Sequence, residues 1–324
     1  MVMKALKFLE LISEVTQLDH HQRSVLIMAL EQLSDEPKVN ELIETAFDSK
    51  GICPHCSHTK IYRHGLVNGL QRYRCKDCKK TFNALTGTPL AHLRYRSKWL
   101  DYLDGVSQSL TVRQTATTLN IHRNTAFRWR HRFLTWIKQD RSTALHGITE
   151  ADETYLLESH KGSRELERKP RKRGGCSRKR GISDEQICIL IARDRSKQTV
   201  DFMTGNGPIT KSVLAAYLKP VLDPDVLLVS DSNPTYDAFC KAEHITHETV
   251  NLSQGQRVKG AYHVQNVNAY HSRFKAWLDH FHGVATKYLP NYLGWCRTMD
   301  QHSNITPDML LNSALGNFQH LTVT

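Results

Sequence analysis

The sequence lacks any long apolar run. No stretch of its 324 residues approaches the roughly 18–20 consecutive apolar residues that a membrane-spanning helix needs. The amino-terminal residues also lack the apolar core and small-residue cleavage site of a secretory signal peptide. Acidic residues are scarce beside basic ones, 32 against 44, which gives a formal net charge of +12. These absences predict a cytoplasmic protein with no membrane partner, which binds a polyanion such as nucleic acid.

Cysteines are few, and half of them are clustered. Four of the eight form two Cys-x2-Cys pairs, and the other four stand alone at Cys176, Cys188, Cys240 and Cys296. Tight pairs in an intracellular protein favour metal binding over a disulfide framework. The single cysteines are interpreted as small, mostly buried residues, because no neighbouring His and Asp pattern marks any of them as a nucleophile.

The paired cysteines predict a zinc ribbon over residues 49–90, with Cys53, Cys56, Cys75 and Cys78 as ligands. One Cys-x2-Cys turn holds two thiolates on one side of the ion, and a hairpin brings the second pair to the other side. Four thiolates close the coordination shell, so the Zn²⁺ is predicted to be structural. His55 and His58 are alternative ligands, and redox-active cysteines are the main competing interpretation. The ribbon is also basic, which makes Arg72 and Arg74 candidate DNA contacts, although a solvated charged face has the same composition.

Helices are predicted on both sides of the ribbon. Residues 1–48 show near-helical apolar spacing, which predicts a pair of small helices that pack on a neighbour or a second subunit. Residues 91–140 favour a helix-turn-helix, in which Thr111 caps the first helix and Asn120 makes the turn. The second helix would expose its polar residues to DNA, and these are His122, Arg123, Asn124, Arg128 and Arg130.

Residues 145–305 alternate between strand-like and helix-like segments, which predicts an α/β domain with a central mixed sheet. The expected strands are 148–157, 186–193, 198–203, 226–230 and 246–251, and the expected helices are 210–218, 234–242 and 263–281. A basic, glycine-containing insertion at 161–181 is predicted to be a loop that contacts phosphates through Arg171, Lys172 and Arg173. Residues 306–324 are left as a carboxy-terminal tail.

Four residues of this domain are candidates for chemistry. Asp152 lies in the first predicted strand, and Asp231 ends the buried strand VLLVSD, where a carboxylate at a strand's carboxyl end commonly marks a site. Asn268 and Lys275 lie two turns apart on one face of the last long helix. Oxygen ligands from two strands and a helix can hold the two Mg²⁺ ions that phosphoryl transfer on DNA needs. Each residue taken alone would be interpreted as an ordinary capping or surface group.

The stretches RYRCKDCKKTFNALTGTPL (72–90), ADETY (151–155), VSDSNPTY (229–236) and HVQNVNAYHSRFKAW (263–277) resemble a known family over residues 50–300. The sequence is similar to bacterial and archaeal insertion-sequence transposases that join a zinc ribbon to an RNase H-like catalytic domain of the Asp-Asp-Asn/Glu-Lys type. The resemblance implies that Asp152, Asp231 and Asn268 hold Mg²⁺ or Mn²⁺ and that Lys275 contacts DNA. It further implies a nucleoid-associated homo-oligomer that binds terminal inverted repeats and target DNA, and cleaves and transfers strands.

Asn268 departs from the Glu that most such relatives carry. An amide oxygen can coordinate Mg²⁺ but brings no negative charge. Glu153, Asp279 or a phosphate oxygen of the DNA are candidates for supplying that charge. The alternative hypotheses are a DNA-binding regulator or catalytically decayed transposase, and an RNase H-like nuclease, which would leave the two upstream modules unexplained.

Overall fold

The chain begins with short helices, and a small antiparallel sheet follows them. The computed structural model describes residues 5–32, 34–166, 169–171, 175–251, 258–302 and 304–318. Its contacts divide the chain into two units, residues 1–84 with 93–101, and residues 85–92 with 102–324. In the described part, no helix combines the length and apolar character needed to cross a bilayer.

The first unit contains three amino-terminal helices, where the sequence predicted a pair. They are α1 (Ala5–Thr16), α2 (His20–Gln32) and α3 (Glu36–Asp48). Pro37 stands in the first turn of α3, where a missing N–H costs nothing, so it favours the start of a third helix. The ribbon strands are β1 (Ile61–Val67), β2 (Leu70–Cys75) and β3 (Thr81–Asn83), paired antiparallel in that order. The hairpin predicted between the two cysteine pairs is therefore present as β1 and β2.

Helix α3 shares a core with the ribbon. The Phe47 ring lies 4.8 Å from the Tyr73 ring and 5.9 Å from Phe82. The Tyr73 hydroxyl donates a 2.8 Å hydrogen bond to Glu44, whose other oxygen accepts the backbone N–H of Gln71 at 3.1 Å. A ribbon of this size has little core of its own, so α3 supplies the apolar surface that buries its aromatic face.

Three helices precede the large sheet: α4 (Trp99–Ser107), α5 (Val112–Thr118) and α6 (Arg123–Ile137). Thr111 caps α5 through a reciprocal pair of hydrogen bonds with Gln114, as the sequence predicted for this position. Asn120 has φ of 47° in the turn between α5 and α6, a left-handed conformation that Asn tolerates better than most residues. Helices α5 and α6 lie in the same unit as the sheet, with no unit boundary at 140–145.

The sheet of the second unit is mixed and has five strands in the order β6-β5-β4-β7-β8. Strands β4, β5 and β6 pair antiparallel, while β7 runs parallel to β4 and β8 runs parallel to β7. The central mixed sheet and its five predicted strands are thus confirmed, with these bounds: β4 (Ile148–Leu157), β5 (Gln186–Asp194), β6 (Thr199–Asn206), β7 (Leu227–Asp231) and β8 (Thr246–Val250).

Helices cover both faces of this sheet. Helices α7 (Lys211–Tyr217) and α8 (Pro234–Glu243) contribute to an apolar cluster with one face, and α9 (Gln265–Asp279) and α10 (Leu289–Gln301) contribute to a cluster with the other. Alternate residues of β5 divide between the clusters, with Leu190 in the first and Ile191 in the second, as the two-residue strand period requires. The segment expected to be a tail contains a further helix, α11 (Pro307–Ala314), with Leu310, Leu311 and Ala314 buried.

Candidate functional site

The four predicted zinc ligands converge. The sulfur atoms of Cys53, Cys56, Cys75 and Cys78 all lie within 4.8 Å of one another. The Sγ atoms of Cys53 and Cys78 are 3.7 Å apart, and those of Cys56 and Cys75 are 3.6 Å apart. Sulfurs at about 2.3 Å from a tetrahedral Zn²⁺ are separated by about 3.8 Å, so the cluster fits this ion. His58 Nδ1 accepts the Lys60 N–H, and neither His55 nor His58 belongs to the converging group.

The two Cys-x2-Cys turns have the same local structure. Each first cysteine donates its N–H to a carbonyl five residues ahead, Cys53 to His58 at 2.9 Å and Cys75 to Lys80 at 3.1 Å. The residue after each second cysteine is left-handed, with φ of 60° at Ser57 and 59° at Lys79. Burial alone would raise the pKa of the Cys75 thiol, but N–H groups of Cys78 and Asp77 lower it to about 7. The turns therefore favour the thiolate form that a metal requires.

The ribbon arginines are partly engaged by the ribbon itself. Arg72 Nε donates to the His64 carbonyl at 3.0 Å, and Arg74 Nε donates to the Lys79 carbonyl at 3.0 Å. Both side chains are half-buried. Because these bonds engage Nε of each guanidinium, any contact with a phosphate would use Nη1 or Nη2.

Four of the five polar residues predicted to be exposed on or near α6 are exposed, namely His122, Arg123, Asn124 and Arg128. The exposure predicted for Arg130 is wrong. Arg130 is fully buried, donates to the Leu110 carbonyl at 2.7 Å, and lies 4.6 Å from the centre of the Trp295 ring. It faces the interior because α10 packs on α6 along that side, so it belongs to the core.

Arg123 also lines a cavity of about 610 Å³ between α5, α6 and the turn after α9. Arg113 and Lys161 lie around the same cavity, as does the half-exposed ring of Phe127. No carboxylate is among the described residues that line the cavity, which favours a positive electrostatic potential there. A phosphate-bearing strand would be attracted to this side of α6.

The basic insertion is anchored at one of its three predicted contacts. Arg171 is half-buried, donates to the Glu158 carbonyl at 2.6 Å, and lies 3.8 Å from the Glu185 carboxylate. Its charge is thus partly compensated at the base of the loop. Lys172 and Arg173 lie outside the described residues.

Asp152 and Asp231 are brought together by strand register. Parallel strands β4 and β7 pair Ile148 with Leu227 and Glu150 with Val229, and the same register continued by two residues sets Asp152 beside Asp231. Asp231 therefore lies at the edge where β7 ends, beside β4, which continues past Asp152 to Leu157. The backbone N–H of Asn233, at the start of α8, donates to Asp231 Oδ1 at 3.0 Å and orients that carboxylate.

Burial and, after it, neighbouring carboxylates raise the pKa values of two acidic residues at this edge. Burial raises the pKa of Asp152 to about 6, and repulsion from Asp231 adds to the shift against the lowering effects of the Glu153 N–H and of Lys275. Burial, followed by the charges of Asp152 and Asp231, raises the pKa of Glu153 to about 8. A site that disfavours its own negative charge is one that a cation stabilises, so these carboxylates suit a divalent metal.

Helix α9 presents a stripe of polar residues at this edge. Asn268, His271 and Lys275 follow a helical i, i+3, i+7 pattern, so they share one face. His271 Nδ1 lies 3.7 Å from Asp152 Oδ2, which sets this face against β4. Asn268 is half-buried and Lys275 is exposed. Asp279 ends α9 about 16 Å along the axis from Asn268, too far to supply the charge that the amide lacks.

Comparison with known proteins agrees with this organisation. Residues 144–296 match the model of the ISXO2-like transposase domain, and residues 52–79 match that of the InsA N-terminal domain, a zinc ribbon. The chain is thus similar to transposases that carry an ISXO2-like domain and an InsA-type zinc ribbon. Its function is that of an insertion-sequence transposase.

A relative of this transposase is an uncharacterized protein in transposable element ISH50 of Halobacterium salinarum. The two are 27% identical over 264 residues, which cover 81% of this chain and 89% of the relative. Among solved structures, the pre-cleavage Mos1 transpososome and the Mos1 strand transfer complex align at 14% and 15% identity. Each alignment covers 64% of this chain and 79% of the other, with a TM-score of 0.22, which does not establish a shared fold.

Glu150, like His271, is a residue of this edge that the sequence did not predict. Its carboxylate is fully buried on β4, two residues before Asp152, and accepts the backbone N–H groups of Asn266 and Val267 at 2.8 and 3.1 Å. Its signal in the sequence was an acidic residue in a strand otherwise suited to burial, ITEADETYLL. That signal does not identify a partner, because the partners lie 116 and 117 residues away.

Proposed function

We propose that this transposase cleaves DNA at the ends of its insertion sequence and joins the ends to a target, with Mg²⁺ or Mn²⁺ held by Asp152, Asp231 and Asn268. The observation that carries the proposal is the parallel register of β4 and β7, whose continuation by two residues sets Asp152 beside Asp231. The order of the sheet, an antiparallel half followed by two parallel strands, supports an RNase H-like catalytic domain.

Each side chain of the site has a role in this proposal. Bound divalent cations would activate the attacking water or 3′-hydroxyl and stabilise the leaving oxygen. Asp152 and Asp231 supply negatively charged oxygens from adjacent strands, and Asn268 supplies a neutral one from α9. Glu153 follows Asp152 on β4, so its side chain lies on the opposite face of the sheet, where it accepts a 3.4 Å hydrogen bond from Asn233 Nδ2. A phosphate oxygen of the DNA is therefore the candidate for the charge that Asn268 lacks. Lys275, exposed on the same face of α9, is suited to hold a DNA phosphate.

We further propose that α5 and α6 form a DNA-binding helix-turn-helix and that the ribbon helps to position duplex DNA. The capped, short α5, the left-handed turn residue Asn120 and the exposed residues of α6 support this role. The net charge of +12 and the three basic residues around the cavity, Arg113, Arg123 and Lys161, favour phosphate contact.

A homo-oligomer is proposed because transposition of this type requires two DNA ends to be held together. Helices α1 and α2 are candidates for the contact between copies. They expose large apolar side chains, among them Leu9, Ile12, Val25 and Ile27. Such side chains are expected at a protein interface when they lie close together.

The test is cleavage of a duplex that carries the inverted repeats flanking the gene, with and without Mg²⁺. The wild-type protein is expected to cleave only with the metal, and Asp152→Ala and Asp231→Ala are expected to bind the duplex without cleaving it. Asn268→Ala should also abolish cleavage in Mg²⁺ with binding intact, and wild-type rates in this variant would remove Asn268 from the site. Specific binding with no cleavage by the wild type would favour a DNA-binding regulator instead.

A further inference from the structure

The first turn of α9 has no capping side chain of its own. Val264 stands at the N-cap position and cannot accept a hydrogen bond through its side chain. The first N–H groups of any α-helix have no partner within the helix, and leaving them buried and unpaired is costly. In this helix the N–H of Gln265 is accepted by His263 Nδ1 at 3.3 Å, and the next two are accepted by Glu150.

Glu150 binds the helix through both of its oxygens. Oε2 accepts the N–H groups of Asn266 and Val267, and Oε1 accepts the side-chain amide of Asn266 at 2.8 Å. Two oxygens on three donors fix the helix in rotation as well as in position, because a single bond would allow α9 to turn about it. A negative charge at this end is also favoured by the helix dipole.

The buried charge of Glu150 is compensated. Arg195 supplies the opposite charge, with Nη1 3.1 Å from Oε1. Arg195 also donates to the Ala261 carbonyl at 2.8 Å, which ties the segment before α9 to the turn after β5. With these partners Glu150 is committed to structure and does not serve as a metal ligand.

The arrangement connects the two elements that carry the proposed metal ligands. Glu150 and Asp152 are two residues apart on β4, so their side chains lie on the same face of the sheet. Asn266 and Asn268 are two residues apart at the start of α9. We propose that Glu150 is a positioning residue, which sets the distance and rotation of Asn268 relative to Asp152. This inference rests on the proposed function.

The test is the affinity of the full-length protein for Mn²⁺, measured by calorimetry in the absence of DNA. Gln at position 150 keeps the shape but replaces one acceptor oxygen with an NH₂ group that faces N–H donors. Loss of groups that orient metal ligands typically weakens metal binding by about 10- to 100-fold, and Glu150→Gln is expected to fall in that range. Amide hydrogen exchange should also become faster at Asn266 and Val267.

The matched control is Asp194→Asn. Asp194 is a similarly buried carboxylate on neighbouring strand β5, and it accepts the Gln198 N–H in the turn to β6 at 2.9 Å. Its loss is expected to reduce thermal stability while leaving Mn²⁺ affinity within about twofold of wild type. Asn266→Ala is the second variant, since it removes one bond to Glu150 and keeps the backbone contacts. It is expected to weaken Mn²⁺ binding by a smaller factor than Glu150→Gln.

The outcomes separate the two proposals. Failure of the wild-type protein to bind Mn²⁺ would overturn the proposed metal site itself. Normal binding by the wild type with unchanged affinity in Glu150→Gln and Asn266→Ala would overturn only the positioning role. Equal losses in Glu150→Gln and Asp194→Asn would overturn it as well, because they would show a general effect of lost stability.

Discussion

His271 on α9 approaches Asp152 on β4 with 3.7 Å between Nδ1 and Oδ2, yet the two do not form a charged pair at neutral pH. Burial, together with the nearby charge of Lys275, lowers the pKa of His271 to about 4, so the imidazole is neutral. The compensating charge for Asp152 must therefore come from Lys275 or from a cation that binds at the site.

Metal binding is expected to stabilise the protein more at pH 8 than at pH 5. Asp152 and Glu153 have pKa values raised to about 6 and about 8, so the folded state holds protons that the unfolded chain releases at lower pH. Stability without metal therefore falls as pH rises from about 4 through these values, and a cation restores it. Thermal melts with and without Mg²⁺ at both pH values measure the effect.

In that experiment the Asp152→Asn substitution should remove most of the Mg²⁺-induced rise in melting temperature. An equal Mg²⁺-induced rise in melting temperature at pH 5 and pH 8 would contradict the prediction, because protons would then not compete with the metal.

Removal of zinc is expected to unfold the ribbon and weaken DNA binding before it affects the acidic site. Structural zinc contributes an apparent folding free energy of about 10–16 kcal/mol in small domains, far more than the ribbon's core can replace. A zinc-selective chelator should therefore reduce DNA affinity, followed by fluorescence anisotropy, while calorimetry shows unchanged Mn²⁺ binding. Cys75→Ser should behave like the chelated protein, and Cys176→Ser, at an exposed single cysteine, should behave like wild type.

Arg128 and Arg130 lie two residues apart on α6. Replacing Arg128 is expected to weaken DNA binding, whereas replacing Arg130 is expected to lower stability. Arg128 is exposed, so Arg128→Ala should change stability by less than about 0.5 kcal/mol while weakening DNA binding and reducing its salt dependence. Arg130 packs on Trp295 in the core, so Arg130→Ala should destabilise the fold by about 2–4 kcal/mol. Urea unfolding and DNA titrations at two salt concentrations measure both effects. A stable Arg130→Ala protein with weakened DNA binding would contradict this prediction and indicate that Arg130 contacts DNA.

Replacement of Gly294 on α10 by alanine is expected to lower the stability of the protein. A Cβ atom at this position would lie 2.9 Å from the backbone N of Lys138 and would clash with its Cα. Alanine favours a helix over glycine by about 1 kcal/mol, but this close approach outweighs it, so Gly294→Ala should destabilise by about 1–3 kcal/mol. Gly105→Ala is the control, because its Cβ would meet Leu110 and Thr115 at 3.4 Å or more. A stabilised Gly294→Ala protein in urea unfolding would show that α6 and α10 can move apart.

The sequence predicted the features that depend on local spacing. The Cys53 and Cys56 turn, the Thr111 cap and the alternation of strands are each encoded within a few residues, so they could be inferred without knowing the fold. The burial of Arg130 could not be inferred in this way, because the apolar pattern of α6 does not indicate which of its sides α10 will cover. Glu150 was missed for the same reason, since its partners on α9 lie 116 residues further along the chain.

The hydrogen bonds from α9 to Glu150 join β4 directly to α9, and this affects where the chain can change in length. The segment 158–185 joins β4 to β5, and within it Ser159 and Lys161 bond to the turn after α9, while Glu150 holds the first turn of α9 to β4. Doubling the length of a flexible loop costs only about 0.6 kcal/mol in closure entropy. Insertions or a grafted domain between Lys161 and Arg171, which leave the bonds of both residues in place, should therefore be tolerated, so this stretch is where the protein could acquire new DNA contacts without rebuilding the proposed metal site.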